Sequence, residues 1–233
     1  MKQHNVYHPL LPSICVGYYM EKVPQILMNG LNKQIEDIQN NFSTTDTYNK
    51  YLVGHIQHEY ALTPSNDLLN FVLKTCNTYN DLSAKHPSNA VQNYFLSQVR
   101  VSENILAEEN AHNWDVSTGK DFWVNFQSKY EYNPPHVHSG IFSFVIWSKI
   151  PYKREDEEQM YPSIDKNINK NGCFTFYHME NGTLIETLFY LDSQYENTIC
   201  VFPSILNHAV FPFYTSDEYR ISVSGNIYLK SGN

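Results

Sequence analysis

The 233-residue sequence predicts a mainly β fold: a two-sheet jelly roll, or double-stranded β-helix, with N-terminal helices packed on one sheet. Three observations predict it. Hydrophobic residues recur with period two from beyond Pro87 to the C-terminus, the spacing of strands. Two stretches with helical spacing precede them. The composition, with 18 Tyr and 13 Phe, favours strands and supplies bulky residues for a sheet interface.

In chain order, Ile14 to Tyr19 reads as a short strand. Pro24 suits the first turn of a helix. Ile26, Leu27, Leu31, Ile35 and Ile38 form that helix's apolar stripe, which Gly30 weakens in the middle. Tyr51 to Tyr60 fits neither period cleanly. Ser65 is a candidate N-cap for a second helix, whose stripe is Leu68, Leu69, Val72, Leu73, Cys76 and Tyr79. Eight strands follow: Tyr94 to Ser102, Asp121 to Lys129, Gly140 to Ile150, Gly172 to His178, Thr183 to Leu191, Thr198 to Phe202, His208 to Phe213 and Tyr219 to Leu229. Eight strands after two helices suit a jelly roll with helices against one sheet. The expected organisation is a single domain over 1–233. Residues 1–90 form an N-terminal helical elaboration and 91–233 the jelly-roll core. The long polar connection from Lys153 to Asn171 reads as a lid or flap. Its acidic cluster, Arg154 to Glu158, reads as a solvated loop.

A formal charge of −8 and a pI near 5.6 argue against sequence-independent nucleic-acid binding, which needs a basic face. Cys15, Cys76, Cys173 and Cys200 form no CxxC pair and read as buried free thiols of a reducing compartment. The N-terminus lacks the apolar run of a signal peptide, and no stretch approaches a membrane span. A cytoplasmic protein is expected, with no nucleic-acid or membrane partner. The oligomeric state, a homo-oligomer included, is left open.

Chemistry concentrates in the C-terminal half. In Asn133-Pro134-Pro135-His136-Val137-His138-Ser139-Gly140 the prolines enforce extended backbone. Residues i and i+2 of a strand share a face, so His136 and His138 can converge on one point. The apolar strand that follows would hold them rigidly. An HxH pair is common by chance and needs a third ligand. His208, just after a turn between two apolar strands, is the candidate, since strands distant in sequence lie side by side in a jelly roll. The plainer alternative is a core histidine bonded to a carbonyl. His178 is the competitor.

Arg220, Ser222 and Ser224 share one face of the last strand, and Ile221 and Val223 the other. An exposed strand would explain this pattern. A barrel-mouth position would instead bury a guanidinium that needs a carboxylate partner. No nearby acidic residue offers one, and a carboxylate ligand would do so, with Ser222 adding a hydroxyl.

The array of a paired motif at a strand start, a distal His and Arg-x-Ser resembles the 2-oxoglutarate/Fe(II) dioxygenases. Trp123-Val124-Asn125, the HxH segment, Phe142-Ser143-Phe144-Val145-Ile146 and Val201-Phe202-Pro203-Ser204 resemble a branch found in marine bacteria and cyanophages. The resemblance covers about Asp121 to Leu229 and extends weakly to Leu52-Val53-Gly54-His55-Ile56. It implies Fe(II) held by His136, His138 and His208. It implies 2-oxoglutarate as small-molecule co-substrate, its far carboxylate on Arg220 and Ser222. It implies hydroxylation of an unidentified substrate, peptidyl or prolyl by analogy, in a bacterial or phage-infected cell.

One departure stands out. The family's paired motif usually ends in Asp or Glu, giving two His and one carboxylate, and here His138 takes that place. Three neutral imidazoles leave Fe(II) with two positive charges, which a dianionic co-substrate neutralises. Three His also suit Zn(II). Two further readings are carried forward. A cupin-like metalloprotein would want a Glu shortly after the HxH pair, and the chain reads Ser-Gly-Ile-Phe-Ser-Phe. A non-catalytic structural or virion-associated protein would keep the barrel alone.

Overall fold

A computed structural model describes residues 6–9, 17–84, 114–115, 122–161, 169–180 and 182–229. The strand expected at Tyr94 to Ser102, and Cys15, lie outside the described residues. In chain order the described elements are β1 (Val6–Pro9), β2 (Gly17–Lys22), α1 (Gln25–Gln39), β3 (His58–Leu62), α2 (Asn66–Ala84), β4 (Trp114–Asp115), β5 (Phe122–Gln127), β6 (Asn133–His136), β7 (Phe142–Lys149), α3 (Arg154–Gln159), β8 (Cys173–Glu180), β9 (Thr183–Tyr190), β10 (Thr198–Pro203), β11 (Asn207–Val210) and β12 (Arg220–Leu229).

The strands form two antiparallel sheets. The larger runs β1-β2-β10-β7-β12-β5-β3, with β4 paired to β12, and the smaller runs β6-β11-β8-β9. From β5 to β12 the chain crosses repeatedly between the sheets, so β6 and β11 become neighbours, as do β5 and β12. That winding makes the fold a jelly roll.

Period-two alternation sorts the side chains. On β5, Phe122, Val124 and Phe126 point outwards from the sheet pair. With Phe142, Phe144 and Ile146 of β7 and Ile221, Val223 and Ile227 of β12 they join one core cluster. Met28, Leu31 and Ile35 of α1 and Leu68, Val72, Cys76 and Tyr79 of α2 complete it, so both helices cover the outer face of the larger sheet. The second cluster lies between the sheets, where Val145, Trp147 and Phe202 meet Phe174, Phe176 and Phe189. Burial of each such side chain contributes about 1.5–3 kcal/mol before the entropy of ordering is set against it.

Ser65 caps α2 as expected, accepting from Leu68 N at 3.2 Å. The N-terminal region is less purely helical than its periodicity suggests. It also supplies β1, β2 and β3 to the larger sheet, and the ambiguous stretch before Tyr60 divides into a 3-10 turn at Asn49–Tyr51 and β3. Cys76, Cys173 and Cys200 are buried free thiols, and burial pushes all three up from the usual thiol range, Cys173 to about 12. No described helix is long and apolar enough to cross a membrane.

The acidic cluster expected as a solvated loop is instead the helix α3, and two of its residues are buried. Glu157, fully buried, accepts from Thr215 N at 2.9 Å, Thr215 Oγ1 at 2.7 Å and Tyr214 N at 3.0 Å. Arg154 donates to the carbonyls of Asn171 and Asn169, both at 3.0 Å, and to Glu158 Oε1 at 2.9 Å. A buried charge persists when several hydrogen bonds replace its water. The partners of Glu157 are 57 and 58 positions away, which is why the local run of charge reads as solvated. Residues 162–168 of the expected lid lie outside the described residues.

Candidate functional site

The prolines of Asn133-Pro134-Pro135-His136 make β6 an edge strand, the position a strand proline tolerates. Among the described residues its partner is β11, in which His208 stands opposite His136. His138 follows two residues later, just past the end of β6. Its backbone is tied by donation from His138 N to Ser204 O at 2.9 Å. Gly140 then turns the chain towards β7 with φ of +97°, a conformation that favours glycine, and an added Cβ would sit 2.9 Å from Ile227 O.

The three rings converge. Centroids lie 4.3 Å apart for His136–His208, 4.9 Å for His136–His138 and 5.0 Å for His138–His208. One ring nitrogen from each falls within 4.8 Å of the others. The sequence leaves two roles open for His208, a carbonyl bond and a metal ligand; the carbonyl bond is made, and it leaves the other ring nitrogen available. His136 Nδ1 is 2.7 Å from Pro134 O and His208 Nδ1 is 2.8 Å from Leu206 O. A carbonyl only accepts, so each Nδ1 bears the hydrogen and each Nε2 keeps its lone pair. Phe202 walls His208 at 4.8 Å between centroids, and Trp123 packs near His138 at 5.7 Å.

Burial keeps these imidazoles neutral. It holds His136 below the usual histidine range and lowers His138 to about 3, the neighbouring His136 adding to the latter. His208 lies well below the usual range, first through burial and then through the other two rings. His178 is not part of the cluster.

Arg220 opens β12 and is 3% exposed. As the sequence suggested, no side-chain carboxylate pairs with it among the described residues. Its Nε and Nη2 both donate to Gln127 Oε1, at 3.0 and 2.6 Å. Nη1 donates to Tyr152 OH at 2.6 Å and Gly172 O at 2.8 Å, and Nη2 also to Phe211 O at 2.9 Å. Neutral acceptors therefore satisfy the donors while the positive charge stays uncompensated by an ion pair. Ser222, two residues on, accepts from Asn125 Nδ2 at 3.2 Å. One cavity is lined by the three histidines together with Asn125, Arg220 and Ser222.

Asn125 and Gln127 went unnamed as site residues in the sequence. Their signal lay in alternation: Phe122, Val124 and Phe126 claim the face under the helices, which leaves Trp123, Asn125 and Gln127 facing the barrel interior.

Against known families, one match falls on this half of the chain. Residues 121–226 match the family described as "Putative 2OG-Fe(II) oxygenase". The matched segment contains all three histidines, Arg220 and Ser222. Among solved structures, the chain is similar to a prolyl-4-hydroxylase from Pseudomonas putida, at 12% identity over 93% of this chain and 94% of that one, with a TM-score of 0.49. It is also similar to an oxidoreductase of the 2OG-Fe(II) oxygenase family from Burkholderia pseudomallei, at 11% identity over 97% of this chain and 74% of that one, with a TM-score of 0.35. No curated protein matches the chain.

Proposed function

We propose that the protein is a 2-oxoglutarate- and Fe(II)-dependent oxygenase. In this reading His136, His138 and His208 hold the metal, and Arg220 with Ser222 receives the far carboxylate of 2-oxoglutarate. The observation that carries it is the convergence of three neutral imidazoles on a cavity that also holds a buried guanidinium with no counter-ion among the described residues. The family match over the same residues supports it.

The donor set fits a borderline cation. Two Nε2 lone pairs are fixed by carbonyl bonds to the opposite ring nitrogens, the arrangement that sets tautomer and ring orientation in metal-binding histidines. With no carboxylate among the ligands, a bound divalent cation keeps its full charge, and this favours a dianionic co-substrate. When bound, Fe(II) would bring dioxygen, the oxidant, together with 2-oxoglutarate, whose oxidative decarboxylation to succinate and CO2 would supply two electrons, so that one oxygen atom enters succinate and the other a substrate C–H bond.

The chain's own residues supply placement. His136 and His208, on paired strands, fix two donor positions against each other. His138, anchored through Ser204 O, closes the third. Arg220 acts through a charge that its neutral partners leave available, and the Ser222 hydroxyl offers a directional bond. The aromatic wall of Phe202, Phe174 and Trp123 excludes water from the metal side.

Iron uptake and co-substrate turnover test the proposal together. The expected result is one Fe(II) per chain and conversion of 2-oxoglutarate to succinate, both lost in His136→Ala and His208→Ala. Metal uptake by the wild type that is unchanged in either variant contradicts it.

A further inference from the structure

A row of polar side chains crosses three strands beside the cavity. Glu59 on β3 is the register partner of Asn125 on β5, and Asn125 is the register partner of Ser222 on β12. Glu59 is 4% exposed and Asn125 is 7% exposed. Direct cross-strand neighbours hold their Cβ atoms about 4.5–5.5 Å apart, so these side chains meet.

Their hydrogen bonds leave a specific gap. Glu59 Oε2 accepts from Asn49 Nδ2 at 3.2 Å, and Asn125 Nδ2 donates to Ser222 Oγ at 3.2 Å. The two remaining oxygens, Glu59 Oε1 and Asn125 Oδ1, are buried with no partner among the described residues. Two orphaned acceptors on facing residues are costly, and one proton between them relieves both.

We propose that Glu59 is a positioning residue that carries this proton, donates it to Asn125 Oδ1, and thereby forces the Ser222 hydroxyl to donate into the cavity. The direction of the relay follows from valence. A protonated Glu59 fixes the Asn125 oxygen towards itself. The Asn125 amide then donates to Ser222 Oγ, and the only hydrogen left on Ser222 is free for a ligand anion. An ionised Glu59 reverses the row. The Asn125 amide turns to donate to Glu59, its oxygen takes the Ser222 hydrogen, and the anion loses its donor. This inference rests on the co-substrate reading of Arg220 and Ser222.

Electrostatics agree with the geometry. Burial, reinforced by the carboxylate of Glu131, raises Glu59 to about 8. Glu131 is itself held by Gln57 N and Ser128 N. Asn49 and Asn125 are the neutral groups bonded to or facing the Glu59 carboxyl. A cation bound in the cavity opposes the rise, so the relevant step is that of the metal-loaded protein.

The test pairs infrared spectroscopy with calorimetry on the full chain, comparing wild type with Glu59→Gln. Gln keeps an acceptor for Asn49 and a donor for Asn125, so it locks the row in the donating state without a titration. At pH 7 the wild-type-minus-variant spectrum should show the C=O band of a protonated carboxyl. Under anaerobic Fe(II), wild-type affinity for 2-oxoglutarate should fall several-fold across the Glu59 step and then level off, matching the loss of the Ser222 donor. Glu59→Gln should stay flat over the same range. A missing band, or the same pH slope in both proteins, overturns the relay while leaving the co-substrate reading intact. A band present with no 2-oxoglutarate binding by either protein at any pH overturns the co-substrate reading, and the relay's role in binding falls with it.

Discussion

His136 and His208 stand directly opposite each other on β6 and β11, and each spends its Nδ1 hydrogen on a carbonyl two residues earlier in its own chain segment. The two rings are thus oriented before any ligand arrives. The pair defines the site, and His138 completes it from the adjoining turn.

Removing either member of the pair should abolish metal binding. His136→Ala and His208→Ala are expected to take up less than a tenth of the wild-type metal by elemental analysis, with the far-ultraviolet circular dichroism unchanged. His138→Asp should retain metal, because a carboxylate at that position gives the two-His, one-carboxylate donor set usual for non-haem Fe(II) oxygenases.

Arg220 is expected to matter for stability as well as for ligand binding. Its hydrogen bonds to Gln127, Tyr152, Gly172 and Phe211 tie β12 to four separate segments. Bonds involving a charged group contribute about 1.5–3 kcal/mol each. Arg220→Lys keeps the charge but loses the planar fork and should cost about 3 kcal/mol or more in urea denaturation. Ser222→Ala should leave the denaturation midpoint nearly unchanged while weakening 2-oxoglutarate binding several-fold.

Glu157 should behave as a structural keystone of the same region. Its carboxylate accepts from Tyr214 N through both oxygens and from Thr215 N and Thr215 Oγ1 through Oε1, and these residues lead into β12. Glu157→Ala leaves buried backbone donors unsatisfied and should lower stability by about 2–4 kcal/mol, measured by chemical denaturation.

Acid should destabilise the metal-free protein below the ordinary histidine range. The folded imidazole of His138 is lowered to about 3, and His136 and His208 are lowered too. A depressed folded value means the unfolded chain takes up protons first. Stability is therefore full above about pH 6.5 and falls as pH drops below it. The slope reaches at most about 1.4 kcal/mol per pH unit for each such histidine. Thermal midpoints between pH 7 and 5 should decline less steeply in His138→Gln than in the wild type.

Much of the fold is legible in the sequence. Alternation on β5, β7, β10 and β12 announced the sheets because each of these strands buries one face under helices and the other in the barrel. The convergence of the three histidine rings is legible because a strand start and a post-turn position both constrain side-chain direction. The partners of Arg220 were not. Gln127, Tyr152, Gly172 and Phe211 come from different segments, and a neutral acceptor carries no charge signature to pair with arginine. Glu157 escaped for a related reason, since a buried carboxylate and an exposed one look alike until their donors are located. Asn125 and Glu59 were hidden by a cross-strand register that no local pattern encodes.

The central claim is that one cavity binds iron and 2-oxoglutarate together, and a single titration addresses it most directly. Anaerobic protein reconstituted with Fe(II) is titrated with 2-oxoglutarate while visible absorption is recorded. The account predicts a metal-to-ligand charge-transfer band that saturates at one equivalent, disappears in His208→Ala, and requires more 2-oxoglutarate in Ser222→Ala. Iron bound at one per chain with no band at any 2-oxoglutarate concentration would contradict it.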